Sequence, residues 1–278
     1  MDDYIEITQL KEKQLLIVKL LEQFHTICEN KGLIYNIFGG TMLGAVRHQG
    51  IIPWDDDIDV TMPRKDYKLF LDIVRNEYSD SYVVHSWPDK NYIYPYAKFG
   101  FRDSVLWENL LKRKYQFSLS IDIFPNDGYP EDETVFKKYN NCKKAIISMT
   151  YVFSDRKFLK RIYLFIKGRF LGLLGVPYFV NKQIQMLSEC KEDSADYIIC
   201  QGAGWGGKGR LKKEIYYDRR LYDFNNIKVW GIRNYHDHLT NLYGDYMTLP
   251  SENKRHPSHD ARIMVKKDVY KKYLGVNK

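Results

Sequence analysis

Paired cysteines are absent from this 278-residue sequence. Its four cysteines stand alone, with no C-x-x-C spacing between any two of them: Cys28, Cys142, Cys190 and Cys200. That pattern argues against a zinc site and against a disulfide framework. Isolated thiols that stay reduced are typical of cytoplasmic proteins, so we expect the chain to act in the cytoplasm.

Long apolar runs are also missing. The longest one, 170–180, is interrupted by Gly172, Gly175 and Pro177, and it is too short to span a bilayer. The acidic residues 1–4 are not followed by the apolar stretch of a signal peptide, so we expect none. No G-x-x-x-x-G-K-[ST] sequence occurs, which argues against a P-loop NTPase.

Negative charge is in the minority. The chain has 43 Lys and Arg against 35 Asp and Glu, a formal charge of +8, which favours anionic partners such as nucleotide phosphates, polyanionic glycans or membrane surfaces. The basic residues are scattered and no nucleic-acid motif is visible, so we expect no nucleic acid partner. Basic and aromatic residues alternate in 157–170, which indicates a helix that either lies on an anionic membrane or buries its apolar stripe.

Acidic residues alternate with apolar ones in 55–60. A strand there would send Asp57 and Asp59 to one face and Ile58 and Val60 to the other. Two carboxylates on one face of a strand can hold Mg²⁺ against a substrate's phosphates. The pattern therefore indicates phosphate-transfer chemistry.

A glycine turn precedes the acidic run. Gly39, Gly40 and Thr41 open a short helix that ends in the basic pair Arg47 and His48. Backbone N–H groups at such a turn and helix start can receive phosphate oxygens. Arg47 and His48 are interpreted either as cationic or donor groups near those phosphates, or as solvated polar residues.

The acidic run has two simpler interpretations, a solvated loop and a calcium-binding loop. A solvated loop would not need apolar residues between its acids. Asp55, Asp57 and Asp59 match the first three ligand positions of a calcium loop, which keeps Asp55 as a further candidate ligand. The rest of that loop fails, because Val60 replaces its glycine and Asp66 its closing glutamate.

A second predicted strand, 115–124, carries the single carboxylate Asp122 between two isoleucines. Alone, it would be as easily a structural aspartate as a functional one. Beside the acidic pair, it is interpreted as the third carboxylate, which completes a metal shell or accepts the proton of an attacking hydroxyl. Lys98 and Arg102, from the neighbouring predicted strand, could add positive charge.

The apolar periodicity predicts an α+β fold. Strands gather in the first half of the chain and helices in the second. The predicted helices are 8–30, stopped by Gly32, and 63–78, followed by a mostly helical region over 131–196. The predicted strands are 33–38, 82–87, 94–101, 115–124 and 197–200.

Three segments carry a family resemblance. Residues 39–63, 120–125 (SIDIFP) and 242–250 (LYGDYMTLP) resemble the LicD family of phosphocholine-type transferases, which is related to human fukutin and fukutin-related protein. The resemblance spans most of the chain. It implies a nucleotidyltransferase-like mixed sheet with flanking helices, and a single catalytic unit over 1–278. Within it we expect a metal-binding core (1–130), a helical insertion (131–200) and a C-terminal family segment (201–278).

The resemblance also implies an activity. It is the transfer of a phospho-alcohol, phosphocholine first, from a CDP-linked donor to a sugar hydroxyl, with release of CMP and dependence on Mg²⁺ or Mn²⁺. The acceptor is expected to be a precursor of a cell-surface glycan (teichoic acid, lipopolysaccharide or capsule), lipid-linked and met at the inner face of the membrane. The family's glycine turn corresponds to residues 39–41 and its metal acids to Asp57 and Asp59, with Asp122 as third acid. The alternative is a nucleotidyltransferase that moves a nucleoside monophosphate from an NTP to a small hydroxylated acceptor.

Other features carry less weight. Residues 202–207 read G-x-G-x-x-G but lack a surrounding βαβ unit, so we interpret them as a mobile loop in which Trp205 could stack on a quaternary ammonium. The pairs His236–His238 and His256–His259 have no third ligand at metal spacing. His259 follows the C-terminal family segment closely and is expected to approach the active site.

Overall fold

The computed structural model describes residues 3–112, 114–151, 173–200 and 206–275. Within these ranges the α-helices are α1 (Leu10–Lys31), α2 (Gly39–His48), α3 (Arg64–Glu77), α4 (Thr134–Thr150), α5 (Gly175–Ser188), α6 (Lys213–Tyr217), α7 (Tyr235–Tyr243) and α8 (Lys267–Leu274). Short 3-10 helices lie at Glu192–Ser194, Gly206–Gly209 and Glu252–Lys254.

The strands of the same ranges are β1 (Tyr4–Ile7), β2 (Asn36–Ile37), β3 (Asp59–Pro63), β4 (Tyr82–His85), β5 (Ala97–Phe101), β6 (Ser104–Glu108), β7 (Ser120–Gly128), β8 (Tyr197–Ile199), β9 (Arg210–Lys212), β10 (Arg219–Phe224), β11 (Ile227–Ile232) and β12 (Ala261–Lys266). A mixed sheet with flanking helices confirms the predicted α+β class.

Helix α1 follows the prediction closely. Its stripe of Leu16, Leu20 and Phe24 is completely buried. The helix ends at Lys31 because Gly32 takes the left-handed conformation (φ 64°), which lets its N–H satisfy the last carbonyls. Phe24 then packs against rings from other elements, including Phe70 of α3 at a centroid distance of 4.8 Å.

The central sheet has the order β2-β3-β7-β5-β4. Strands β3 and β7 are parallel, whereas β5 runs antiparallel to β7. Val60, Ile123 and Phe99, which are buried, point to the side covered by α1 and α3. The residues that alternate with them along the same strands therefore point to the opposite face of the sheet, where the charged groups lie.

The second half of the chain contains more strands than the sequence pattern predicted: β8 confirms the predicted strand 197–200, whereas β9, β10, β11 and β12 were not predicted. Strand β9 has three residues, too few to show an alternating pattern. Strands β10 and β11 form a hairpin, and β12 pairs with both β1 and β6. The pairing of β12 with β1 and β6 brings residues from the C-terminal part of the chain next to strands from its first half.

Helices α4 and α5 confirm the helical prediction over much of 131–196, while the basic segment 157–170 lies outside the described residues. The two helices pack on each other and on Phe117, which precedes β7. They form a second small core beside the sheet. Among the described residues, no helix has the length and apolarity needed to cross a membrane.

Candidate active site

A cleft of about 320 Å³ opens between the sheet strands β3, β5 and β7 and the helices α4 and α5. Residues of β6 and β12 line its side. Its charged and titratable lining comprises Lys13, Asp56, Asp57, Asp59, Lys98, Glu108, Asp122, Lys143 and His259, with tyrosines between them. Residues more than 200 positions apart in the sequence thus share one cavity.

Strand register brings three charged side chains together. Asp59 on β3 lies directly opposite Asp122 on β7, and Lys98 on β5 lies opposite Asp122 on its other side. The three residues therefore form a row across the sheet, on the side away from α1 and α3. Sequence analysis identified all three as candidate site residues, and the strand register explains how they come together.

Asp57 is not on a strand, contrary to the sequence prediction. Strand β3 begins only at Asp59, and Asp57 lies in the preceding loop. The loop nevertheless directs Asp57 into the same cleft, within 3.7 Å of the His259 Nδ1. The predicted pair of acids is therefore brought together by a loop and a strand end rather than by alternation.

The acids raise one another's pKa. Burial and the nearby Asp57 charge raise the pKa of Asp55 to about 8. Burial, followed by repulsion from Asp57 and Asp122, raises the pKa of Asp59. Burial also raises the pKa of Asp57, although His259 opposes that effect. Several carboxylates forced together in a partly desolvated cleft are strained electrostatically in the absence of a cation.

Lys98 compensates part of this charge. Its Nζ donates to both oxygens of Asp122, at 2.7 and 3.0 Å, and only 12% of its side chain is exposed. Burial lowers the pKa of Lys98, but the charges of Asp122, Glu108 and Asp59, together with the hydrogen bond to Asp122, outweigh that effect and raise the pKa overall. Lys98 is thus charged and held in place beside the third acid.

Asp56 has a different role from its neighbours. It is almost fully buried, and its carboxylate accepts hydrogen bonds from Lys13 Nζ at 2.7 Å, His259 Nδ1 at 3.0 Å and the Ser258 N–H at 3.2 Å. Burial alone would raise the pKa of Asp56, but these partners lower it to about 2. Asp56 therefore joins α1, the acidic loop and the loop before β12.

We expect Asp56→Asn to lower the free energy of unfolding by about 3 kcal/mol, because it leaves the nearly buried Lys13 without a counter-charge. Chemical denaturation would measure the change. Asp223→Asn is a matched control: its partner Lys228 lies at a similar distance, 2.8 Å, but the pair is largely exposed. The control is expected to cost less than about 1 kcal/mol, and an equal loss in the two variants would contradict the role of Asp56.

The glycine turn borders the acids, as predicted. Gly39, at φ 54°, begins α2, and a Cβ atom on Gly40 would lie 2.9 Å from an Asp55 carboxylate oxygen. A side chain there would displace Asp55. Thr41 accepts a hydrogen bond from the Asp59 N–H at 2.8 Å, so its hydroxyl holds the start of β3. The amino end of α2 and the acids therefore lie side by side.

The structure does not bring every candidate to this cleft. Arg47 and His48 lie at the opposite end of α2, where Arg47 donates to the Tyr246 carbonyl at 2.7 Å and to His48. Arg102 is exposed and donates to the Ser79 carbonyl. None of these three lines the cleft, and Trp205 lies outside the described residues.

Several cleft residues were missed by sequence reasoning. Lys13 lies on α1, and no local pattern separates it from other helix lysines. Tyr94 and Tyr96 precede β5 and Glu108 ends β6; no local sequence pattern marks these three residues, and only the fold brings them to the cleft. Tyr243 could have been predicted, since it belongs to the family segment 242–250. Its OH lies 3.6 Å from the position that a Cβ atom on Gly39 would occupy.

The chain is similar to known proteins over most of its length. Residues 32–161 match the model of the LicD/FKTN/FKRP nucleotidyltransferase domain. The lipopolysaccharide cholinephosphotransferase LicD of Haemophilus influenzae is 30% identical over 266 residues, covering 90% of this chain and 96% of that protein. An uncharacterized protein of Rickettsia typhi is 33% identical over 131 residues, 46% of this chain and 40% of its own length. The matched region contains the glycine turn, the acidic loop, Lys98 and Asp122, and the chain belongs to the LicD family.

Proposed function

We propose that this LicD-type phosphotransferase moves phosphocholine from CDP-choline to a sugar hydroxyl of lipopolysaccharide or another cell-surface glycan, and releases CMP. The observation that carries the proposal is the convergence of Asp57, Asp59 and Asp122 in one cleft beside the amino end of α2. The choline and lipopolysaccharide parts rest on the name of the Haemophilus influenzae relative.

The acids fit a divalent cation of the Mg²⁺ or Mn²⁺ type. Such ions prefer oxygen ligands, and burial, followed by repulsion between the acids, raises the pKa of Asp55 and Asp59, which a bound cation would oppose. Asp57 and Asp59 would hold it, with Asp55 as a further ligand, which leaves Asp122 to act on the acceptor's proton; Asp56 is engaged by Lys13 and His259. When bound, the ion would neutralise charge on the donor's pyrophosphate and on the departing CMP.

The chain's own groups account for the remaining steps. N–H groups at the start of α2, from Gly39 to Thr41, would bind phosphate oxygens of the donor. The acceptor oxygen attacks the phosphorus that carries choline, the bond from that phosphorus to the CMP oxygen breaks, and the hydroxyl proton passes to a carboxylate oxygen of Asp122. Lys98 holds that carboxylate in position through its two hydrogen bonds.

One experiment tests the proposal. Purified protein is incubated with Mg²⁺ and a panel of CDP-linked alcohols, with and without dephosphocholinated lipopolysaccharide, and CMP is followed by chromatography. Acceptor-dependent release of CMP from CDP-choline supports the proposal. Release of pyrophosphate from an NTP with a small hydroxylated acceptor, and no CMP from any CDP-alcohol, would favour the nucleotidyltransferase alternative.

We further propose that the acceptor is met at an anionic membrane surface. The support is the +8 charge and the basic, aromatic segment 157–170, which the structure does not describe. Each Lys or Arg near such a surface contributes about 1 kcal/mol, so attachment should be reversible and weaken with salt. Replacing Lys160, Arg161, Lys167 and Arg169 by Gln is expected to reduce flotation with anionic liposomes. No binding at low salt would contradict this proposal.

A further inference from the structure

An aromatic wall lines the part of the cleft next to the acids. We use this name for Tyr94, Tyr96, Phe117 and Tyr151, all of which border the cavity that contains Asp57, Asp59 and Asp122. Tyr94 stacks on Tyr96 with ring centroids 5.1 Å apart, and Phe117 packs against Tyr94 at 5.6 Å. The proposed transfer reaction, as written so far, uses none of these rings.

A carboxylate accompanies the aromatic wall. Glu108, at the end of β6, accepts a hydrogen bond from the Tyr94 hydroxyl, with oxygen distances of 3.2 and 3.4 Å. Its charge also acts on Tyr151 and on Lys98. Because Lys98 is paired with Asp122, Glu108 is left as the surplus negative charge among these rings. The other cation of this part of the cleft, Lys143, is exposed on α4.

The aromatic wall also lies close to the reacting groups. Lys98 Nζ is 2.7 Å from the Asp122 carboxylate and 5.0 Å from the centroid of the Tyr94 ring. The ring is therefore no farther from the carboxylate than those two distances combined. A phosphocholine group whose phosphorus lies beside the acids could therefore bring its nitrogen, which is joined to the phosphate by a two-carbon linker, to the ring.

We propose, on the basis of the function proposed above, that the aromatic wall and Glu108 bind the quaternary ammonium of the transferred phospho-alcohol. A trimethylammonium group has no N–H to donate, so hydrogen-bond acceptors alone cannot select it. Ring faces attract it through the cation–π interaction, and a nearby carboxylate adds charge complementarity. Lys98 Nζ lies 5.0 and 5.6 Å from the centroids of the Tyr94 and Tyr96 rings, which is within the range of the cation–π interaction.

A stacked cytosine is the competing occupant of the same wall. It would use the ring faces, and its 4-amino group could donate a hydrogen bond to Glu108, but a neutral base gains no charge complementarity there. The charge of Glu108 therefore favours the ammonium over the base. Replacing Glu108 by Gln separates the two possibilities, because it removes the charge while keeping the size and most of the hydrogen bonding of the side chain.

Direct binding tests the subsite. Isothermal titration with phosphocholine, tetramethylammonium and CMP is compared for the wild type, Glu108→Gln and Tyr94→Leu, with thermal melting as a check on folding. Both substitutions are expected to weaken phosphocholine and tetramethylammonium by about tenfold while changing CMP less than about twofold. Glu214→Gln is the matched control, because Glu214 is exposed and does not line the cleft. It should change the affinity for none of the three ligands.

The outcomes distinguish this inference from the proposed function. If the wild type releases no CMP from any CDP-alcohol, the proposed function is rejected. The binding of phosphocholine and tetramethylammonium would still test the subsite. A wild type that transfers phosphocholine, with Glu108→Gln keeping its full preference for CDP-choline over CDP-ethanolamine, would overturn the subsite alone. Weakened CMP with unchanged phosphocholine would assign the aromatic wall to the base and also overturn it.

Discussion

Replacing Asp57 or Asp59 by Asn is expected to lower transfer turnover about a thousandfold or more. Each side chain faces the cleft, and each is proposed to hold the divalent cation that neutralises the developing phosphate charge. A thousandfold loss corresponds to about 4 kcal/mol of transition-state stabilisation. Turnover is measured as acceptor-dependent CMP release from CDP-choline at saturating Mg²⁺.

Stability provides a second measurement for the same variants. Because burial and like charge raise the pKa of both acids, the neutral amide removes repulsion, and the free energy of unfolding should stay equal or rise. Asp80→Asn, in an exposed turn after α3, is the control and should alter neither turnover nor stability. Turnover near that of the wild type in Asp57→Asn or Asp59→Asn would reject the assignment of the acids.

Local sequence signals predicted the elements that carry this site. The apolar stripe of Leu16, Leu20 and Phe24 recurs with the period of a helix, and Gly32, which adopts the left-handed conformation, ends α1. Both signals come from residues that are close together in the sequence. The start of α2 at Gly39 follows in the same way. Such features depend little on the rest of the fold, so a sequence pattern is sufficient to find them.

Long-range pairing could not be predicted in the same way. Asp122 meets Asp59 through the parallel register of β3 and β7, whose strands lie 60 residues apart, and Lys98 joins them through β5. His259 reaches Asp56 because β12 pairs with β6 and β1. No local period encodes these registers, since side-chain packing in the finished sheet decides them.

The local structure predicted for the acidic loop was wrong, although Asp57 and Asp59 do line one cleft. Alternation predicted a strand through Asp57 and Asp59, yet β3 begins at Asp59 because the preceding residues make other contacts. Gln14 on α1 donates to the carbonyls of Ile52 and Asp55, and Asp56 is held by Lys13. Tertiary contacts of the loop therefore outweigh its strand-like pattern.

Asp122→Asn is expected to lower turnover by about a hundredfold or more, whether Asp122 takes the acceptor's proton or helps hold the cation. The affinity for CDP-choline separates the two roles. If Asp122 acts on the acceptor hydroxyl, donor binding should stay within a few-fold of the wild type. If it is a ligand of the cation, donor binding should fall together with turnover. Both constants come from titration and single-turnover kinetics.

A structural effect of the same substitution must be set apart, because Asp122 is also the counter-charge of Lys98. Removing one partner of a buried pair costs about 3–5 kcal/mol, so Asp122→Asn alone should be less stable than the wild type. Adding Lys98→Met removes the unpaired charge and should restore much of that stability without restoring turnover. Recovery of turnover in the double variant would mean that Asp122 serves only to neutralise Lys98, and unchanged kinetics in Asp122→Asn would make it a purely structural residue.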